Sequence, residues 1–305
     1  MTLAELEEFY HGIVRSARER GVTCAITSGM ACVHYGVATS TKDCDVLCSP
    51  AEAGLLFEIV AEAAAAAARP VYRGHLTAPL DHRWLRGGWT SHFEWPTTPA
   101  PAHLDVFGVA PRGSTPWTAD FRGLFVHPHT VGEMKRTDRQ KDWPFATSLG
   151  LRMLSEGDLR GWLHIFDHET LLGAFEKVPC PPEIIAQRPS LGLLVQGDER
   201  LDIAVRGEIE FWHQLDKLRM SIHRRASRRY VVAAGRHPEA DAPDVRIQHS
   251  VRVKLAEELL PSAPLLEFGL DALVAEAREK ARRYAPPGSL EWLPDARKNF
   301  IGLSA

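Results

Sequence analysis

Long hydrophobic runs are missing from this 305-residue chain. The longest, inside AEAAAAAAR, is short and alanine-rich, whereas a membrane-spanning helix needs about 20 apolar residues. Cysteine is scarce, with five residues at irregular spacings. An odd, unpatterned set fits free thiols in a reducing cytoplasm better than a disulfide framework. An excess of one charge is missing too: 36 Lys and Arg stand against 39 Asp and Glu, a formal net charge of −3. Residues 1–150 hold 14 basic against 16 acidic groups, and residues 151–305 hold 22 against 23. Neither half therefore carries the field that recruits a long polyanion in bulk. The opening MTLAELEEFYHGIVRSARER is amphipathic rather than apolar, which argues against a secretory leader. What is present is a soluble composition, 45% hydrophobic and 25% charged, long enough for two domains with their own cores.

The most informative segment is Ser28–Val46, SGMACVHYGVATSTKDCDV. Small residues open a short helix, and the segment closes on Asp43 and Asp45 in an otherwise apolar strand. Side chains two apart on a strand share a face. Two carboxylates side by side repel one another unless a cation lies between them, and hard oxygen donors suit Mg²⁺ or Mn²⁺. A helix start beside that pair offers free N–H groups to a phosphate. The plain alternative is a solvated strand end. Asp105 in AHLDVFGVA weighs against it, because an acid inside an apolar run needs a partner. Three such carboxylates could bridge two metals about 3.5–4 Å apart. Residues 127–150, HPHTVGEMKRTDRQKDWPFATSLG, add Lys135, Arg139, Lys141 and Asp142. A cation from this run could neutralise a triphosphate; an ordinary solvated patch is the alternative.

Periodicity organises the rest. Apolar residues at helical spacing predict a helix over 2–20, followed by a strand over 22–27 and a helix over 29–35 ending at Gly36. The spacing then predicts a strand over 43–48, an alanine-rich helix from Pro50 to about Ala68, and short strands near 71–73, 102–109 and 121–127. The intervening segment up to Pro101 is long for a loop and predicts a hairpin over the nucleotide site. Helices are expected over 129–156 and dominate from Asp158 onward, including one through LRGWLHIFDHETLLGAFEKV and one long helix from Asp198 to Ala234. The expected fold class is α+β, a mixed sheet flanked by helices over residues 1–156, followed by an all-helical bundle over 157–305. His164 and His168, four apart, are either a shared metal pair or core and surface histidines. Arg224, Arg225, Arg228 and Arg229 form a dense cationic stretch that is either solvated or holds an RNA end or a polyphosphate. Trp162 and Trp212 read as core, and Cys44 and Cys48 as small buried hydrophobes.

The order of turn, short helix, D-x-D pair, separate third Asp and closing Lys resembles the polymerase-β-like nucleotidyltransferase superfamily. Thirteen residues, 30–42, separate the Ser28-Gly29 turn from Asp43. Ala31, Gly36 and Thr41 are similar to the minimal, abortive-infection-toxin branch of toxin–antitoxin systems, as are Lys135, Arg139, Lys141 and Asp142. Ser28 stands where Gly is usual, Met30 where a small or polar residue is common, and Thr39 where many relatives carry Arg. The resemblance spans residues 20–150. It implies the nucleotidyltransferase fold and Mg²⁺-dependent transfer of a nucleoside monophosphate from a triphosphate to an acceptor hydroxyl. Asp43, Asp45 and Asp105 would hold the metals, with Asp105 also assisting deprotonation of the acceptor. Lys135 would neutralise phosphate charge. Ser28, Gly29, Thr41, Arg139, Lys141 and Asp142 would contact the nucleotide. The acceptor is a small molecule, a protein side chain or an RNA end, with the helical half on the acceptor side. A catalytically inert nucleotide-sensing or partner-binding module on the same fold is the alternative.

Overall fold

Apolar strands from the first half of the chain meet side by side in the computed structural model, which describes residues 1–75 and 77–304. The strands are β1 (Cys24–Thr27), β2 (Asp43–Cys48), β3 (Val71–Tyr72), β4 (Thr90–Trp95), β5 (Ala102–Phe107), β6 (Phe121–Arg122) and β7 (Phe125–Val126). They form one mixed sheet of seven strands in the order β3-β4-β5-β2-β1-β7-β6. The β2–β5 and β1–β7 pairings are parallel and the others antiparallel. Helices α1 (Leu3–Glu19), α2 (Ser28–His34), α3 (Ala53–Glu62) and α4 (His82–Arg86) accompany the sheet, with α5 (Pro128–Met134) and α6 (Trp143–Ser155) at its end. Thr2 begins α1 with a reciprocal cap, its hydroxyl accepting from the Glu5 N–H while the Glu5 carboxylate accepts from the Thr2 N–H.

The rest is helical: α7 (His168–Phe175), α8 (Pro182–Gln187), α9 (Leu191–Gln196), α10 (Leu201–Ala226), α11 (Arg228–Ala234), α12 (Val245–Leu259), α13 (Pro264–Phe268), α14 (Leu270–Ala281) and α15 (Ile301–Ser304). The architecture is thus mixed α+β with an all-helical second half. Among the described residues no helix is long and apolar enough to cross a membrane.

One apolar core gathers Tyr10, Ile26, Cys44, Val46, Phe93, Trp95, Leu104 and Val106 around the sheet. A second, around Trp143, Trp162, Phe211 and Trp212, fills the helical half. A third joins Trp84 and Trp89 to Tyr230, Ala256 and Leu260, so α11 and α12 pack back on the sheet side. The edge strand β3 is sealed there. Gln248 Oε1 accepts from the Tyr72 N–H at 2.8 Å, and the Tyr72 hydroxyl lies 2.7 Å from His249 Nδ1. That hydroxyl also accepts from the Leu80 N–H. Covering an edge in this way removes a template for aggregation. Helices α5 and α6 meet the turn of residues 159–164 across glycines. A Cβ on Gly132 would lie 2.6 Å from His164 Nδ1, and one on Gly150 would lie 2.7 Å from the Gly161 carbonyl.

Several expectations change. The alanine run stops being helical at Ala63, because the Trp95 indole donates to the Ala63 carbonyl and Arg69 donates to that of Glu62. Ala66 and Ala67 then turn with positive φ. The expected hairpin over a nucleotide is instead α4 and β4, built into the sheet. The strand expected over 121–127 is a hairpin around Gly123, whose φ is +61°. Asp167 caps a new helix by accepting from the Thr170 N–H, which separates His168 on α7 from His164 on the preceding 3₁₀ turn. The pair expected to share one helix does not. His164 is buried against His129, and His168 faces Glu169. The long helix expected to run to Ala234 breaks at Ser227.

Candidate functional site

Strand alternation builds the site. β4 buries Ser91, Phe93 and Trp95 and leaves His92 and Glu94 on the other face. β5 buries Ala102, Leu104 and Val106 and presents His103 and Asp105. β2 presents Asp43 and Asp45. Register aligns these sets: Asp45 lies opposite Asp105, which lies opposite His92, while Asp43 lies opposite His103, which lies opposite Glu94. Directly opposed residues share a face, so six titratable groups lie on one side of three neighbouring strands. Tyr10 ties the strand starts together, donating to the Lys42 carbonyl and accepting from the His103 N–H.

The three expected carboxylates differ in surroundings. Asp43 is exposed and lies 2.9 Å from His103, whose other ring nitrogen is 3.1 Å from Glu94. Asp105 is bound by Arg73 at 2.7 Å and by His92 at 2.8 Å. Burial works to raise its carboxyl, but His92 and Arg73 outweigh that and hold it below the usual range. Asp45 has no ion pair among the described residues. Burial first, then the neighbouring Asp105, pushes it up to about 7, with Lys135 and the Ser28 hydroxyl opposing. Buried carboxylates in a row behave this way when no cation sits between them. Among the described residues no three His, Cys, Asp or Glu side chains close on a common point as a metal cage.

Ser28 enters α2 with φ of +53°, a left-handed conformation that favours glycine. At Gly29 a Cβ would lie 2.7 Å from Thr41 Oγ1, so only glycine lets the turn pack on Thr41. The basic run divides. Lys135 is buried and 3.3 Å from Asp142, which also accepts from Thr137 and from Arg139. Burial would raise the Asp142 carboxyl, yet Lys135, Thr137 and Arg139 hold it low. Lys135 and Arg139 are therefore both engaged by Asp142, while Lys141 is exposed. Arg224, Arg225, Arg228 and Arg229 are all exposed. Beside His92 opens a cleft of about 260 Å³, walled by Trp89, Phe107, Met220, Arg219 and Arg224.

Sequence reasoning passed over Arg73, His92, Glu94 and His103. The alternation of HFEW and AHLDVF carried the signal for three of them, because both strands place ionisable side chains on the face opposite their aromatic and aliphatic residues. No protein-family model, no curated protein and no solved structure matches the chain.

Proposed function

We propose that this chain is a metal-dependent nucleotidyltransferase of the polymerase-β-like type, moving a nucleoside monophosphate from a nucleoside triphosphate to an acceptor hydroxyl and releasing pyrophosphate. The observation that carries the reading is the parallel register that sets Asp45 opposite Asp105, with Asp43 on the same face beside them. The donor set fits a hard divalent cation. Asp45 is an oxygen ligand left without an ion-pairing partner among the described residues, and Asp43 lies next to it with one oxygen shared with His103. Asp43 and Asp45 would hold Mg²⁺ or Mn²⁺, with Asp105 joining once Arg73 and His92 release it. The bound cation would supply charge neutralisation at the phosphates.

The chain's own residues do the rest. The Ser28-Gly29 turn, with Thr41 packed against it, lets backbone approach the triphosphate closely. Lys135, held by Asp142, lowers the cost of charge on Asp45 and would do the same for the phosphates. Until they release it, Arg73 and His92 keep Asp105 ionised. The acceptor would enter by the cleft beside His92, where Arg219 and Arg224 offer charge and Trp89 an aromatic wall.

A second reading, an inert nucleotide-sensing or partner-binding module, is favoured by one observation: Arg73 and His92 already occupy the oxygens of Asp105. Label transfer separates the two. Wild-type protein incubated with α-³²P-labelled triphosphates and cell extract should label an acceptor in Mg²⁺ but not in EDTA, and Asp43→Ala/Asp45→Ala should abolish the label. Triphosphate binding by calorimetry without metal-dependent label would give the second reading.

A further inference from the structure

A second cavity, of about 260 Å³, lies between the end of α5, the turn of residues 159–164, α8, α10 and the segment 294–299. It shares none of the carboxylates described above. At its base is Arg136, 6% exposed. Its Nη2 donates to the Leu163 carbonyl at 3.3 Å and lies 3.5 Å from His164 Nδ1, and its Nε finds no partner among the described residues. Among the described residues no carboxylate oxygen comes within 4.0 Å of this guanidinium. A buried cation without a counter-charge is costly, and most are paired.

The nearby acids are bound by other groups. Glu208 takes Arg188 at 2.7 Å and the Ser190 hydroxyl at 3.0 Å. Glu133 takes the Ser114 N–H at 3.1 Å, the Ser114 hydroxyl, and Asn299 at 3.4 Å. His164 is held well below its ordinary pKa by burial and is neutral. It accepts from Arg136 and passes its own N–H to His129, 2.9 Å away, which leaves the second His129 nitrogen facing Glu133. At the mouth, Arg297 holds Asp295 at 2.7 Å while Lys298 stands exposed. Cancelling Arg188 with Glu208 and Arg297 with Asp295 leaves Arg136 and Lys298 against Glu133. One negative charge balances the cavity; a phosphate dianion overshoots it. The walls are flat and apolar, with Trp212 centred 5.1 Å and Phe166 5.9 Å from the Arg136 guanidinium carbon.

We propose that this cavity binds a small organic monocarboxylate with a flat apolar body, its carboxylate on the fork of Arg136 and its ring against Trp212 and Phe166. The planar guanidinium matches a carboxylate bidentately. The volume lies below the roughly 300–1,000 Å³ of sites for drug-sized ligands, which limits the occupant to about one ring.

Calorimetry and saturation-transfer NMR with sodium benzoate on the full-length protein test this, with benzamide and inorganic phosphate as comparison arms. Saturable benzoate binding is expected, weakened about tenfold or more by the neutral isostere or by phosphate, because each leaves a buried charge mismatched. Arg136→Gln should remove it. Should that variant fail to fold, Ala186→Trp decides: the exposed Ala186 lies at the rim, and a bulky ring there closes the mouth without touching the buried ion pairs. Absence of saturable benzoate binding, equal binding of benzamide, tighter binding of phosphate, or indifference to Ala186→Trp would each overturn the proposal. The readout is binding alone, so its failure is distinguishable from failure of nucleotidyl transfer.

Discussion

Replacing Asp45 by Asn should make the metal-free protein more stable at alkaline pH, although it removes a proposed ligand. The unfolded chain titrates this carboxyl near 3.8, whereas the folded chain holds it at about 7. Below pH 3.8 both states keep the proton and the residue contributes no difference. Between 3.8 and 7 the native state retains a proton that the unfolded state has lost, so stability declines as pH rises and the loss is complete above about 7. Over that interval the cost reaches about 4 kcal/mol at most. Solvent at this half-buried group trims it toward about 2 kcal/mol. Urea unfolding followed by tryptophan fluorescence in EDTA should therefore show Asp45→Asn matching wild type at pH 4 and exceeding it at pH 8. Saturating Mg²⁺ should close the gap from the wild-type side, since ligand at 100 times its Kd adds about 2.7 kcal/mol. A variant no more stable than wild type at pH 8, or an advantage independent of pH, would refute the claim that Asp45 is held against its electrostatic preference.

Two further outcomes follow from packing and burial. Gly150→Ala should destabilise by about 1–3 kcal/mol in urea unfolding, because its Cβ would press on the Gly161 carbonyl and on Ile165 where backbone cannot give way; a neutral substitution would mean that the α6 seam is looser than described. Acidification from pH 6.5 toward 4 should destabilise the fold. Burial lowers His223 and His249 to about 4 and lowers His129 and His164 too, so the unfolded chain takes up protons that the native state refuses. Each of the first two is worth up to about 3 kcal/mol, and His249→Phe should flatten the acid limb of a melting-temperature profile.

Much of the sheet was legible because its strands are marked by composition at both ends. The strand expected over 43–48 coincides with β2, and the expected strand with Asp105 at its centre differs from β5 only beyond Phe107. What failed was set by a remote side chain or by a choice of cap that the local pattern leaves open. Nothing local to the alanine run announces that Trp95 will take the Ala63 carbonyl, although Arg69, which takes that of Glu62, closes the run itself. The break after His164 depends on Asp167 preferring to cap a helix rather than continue one. The candidate site was half legible for the same reason. D-x-D and the Ser28-Gly29 turn are local patterns. That Asp105 would meet Arg73 and His92, and that Asp142 would engage Lys135 and Arg139, depends on strand register and chain reversal.

The sealing of β3 by α12 carries a consequence for the order of events during synthesis. Trp84 donates to the Leu260 carbonyl at 3.2 Å and Trp89 to that of Pro261 at 2.9 Å, so two large aromatics of the first third wait for residues delivered about 175 positions later. Until the ribosome has released residue 261, the sheet has a bare flank, with the outer edge of β3 unpaired and two indoles uncovered, the kind of surface that chaperones hold. The late helices are the last stave that closes the early sheet, and a stop codon anywhere before them would leave a sticky nascent chain rather than a smaller working protein.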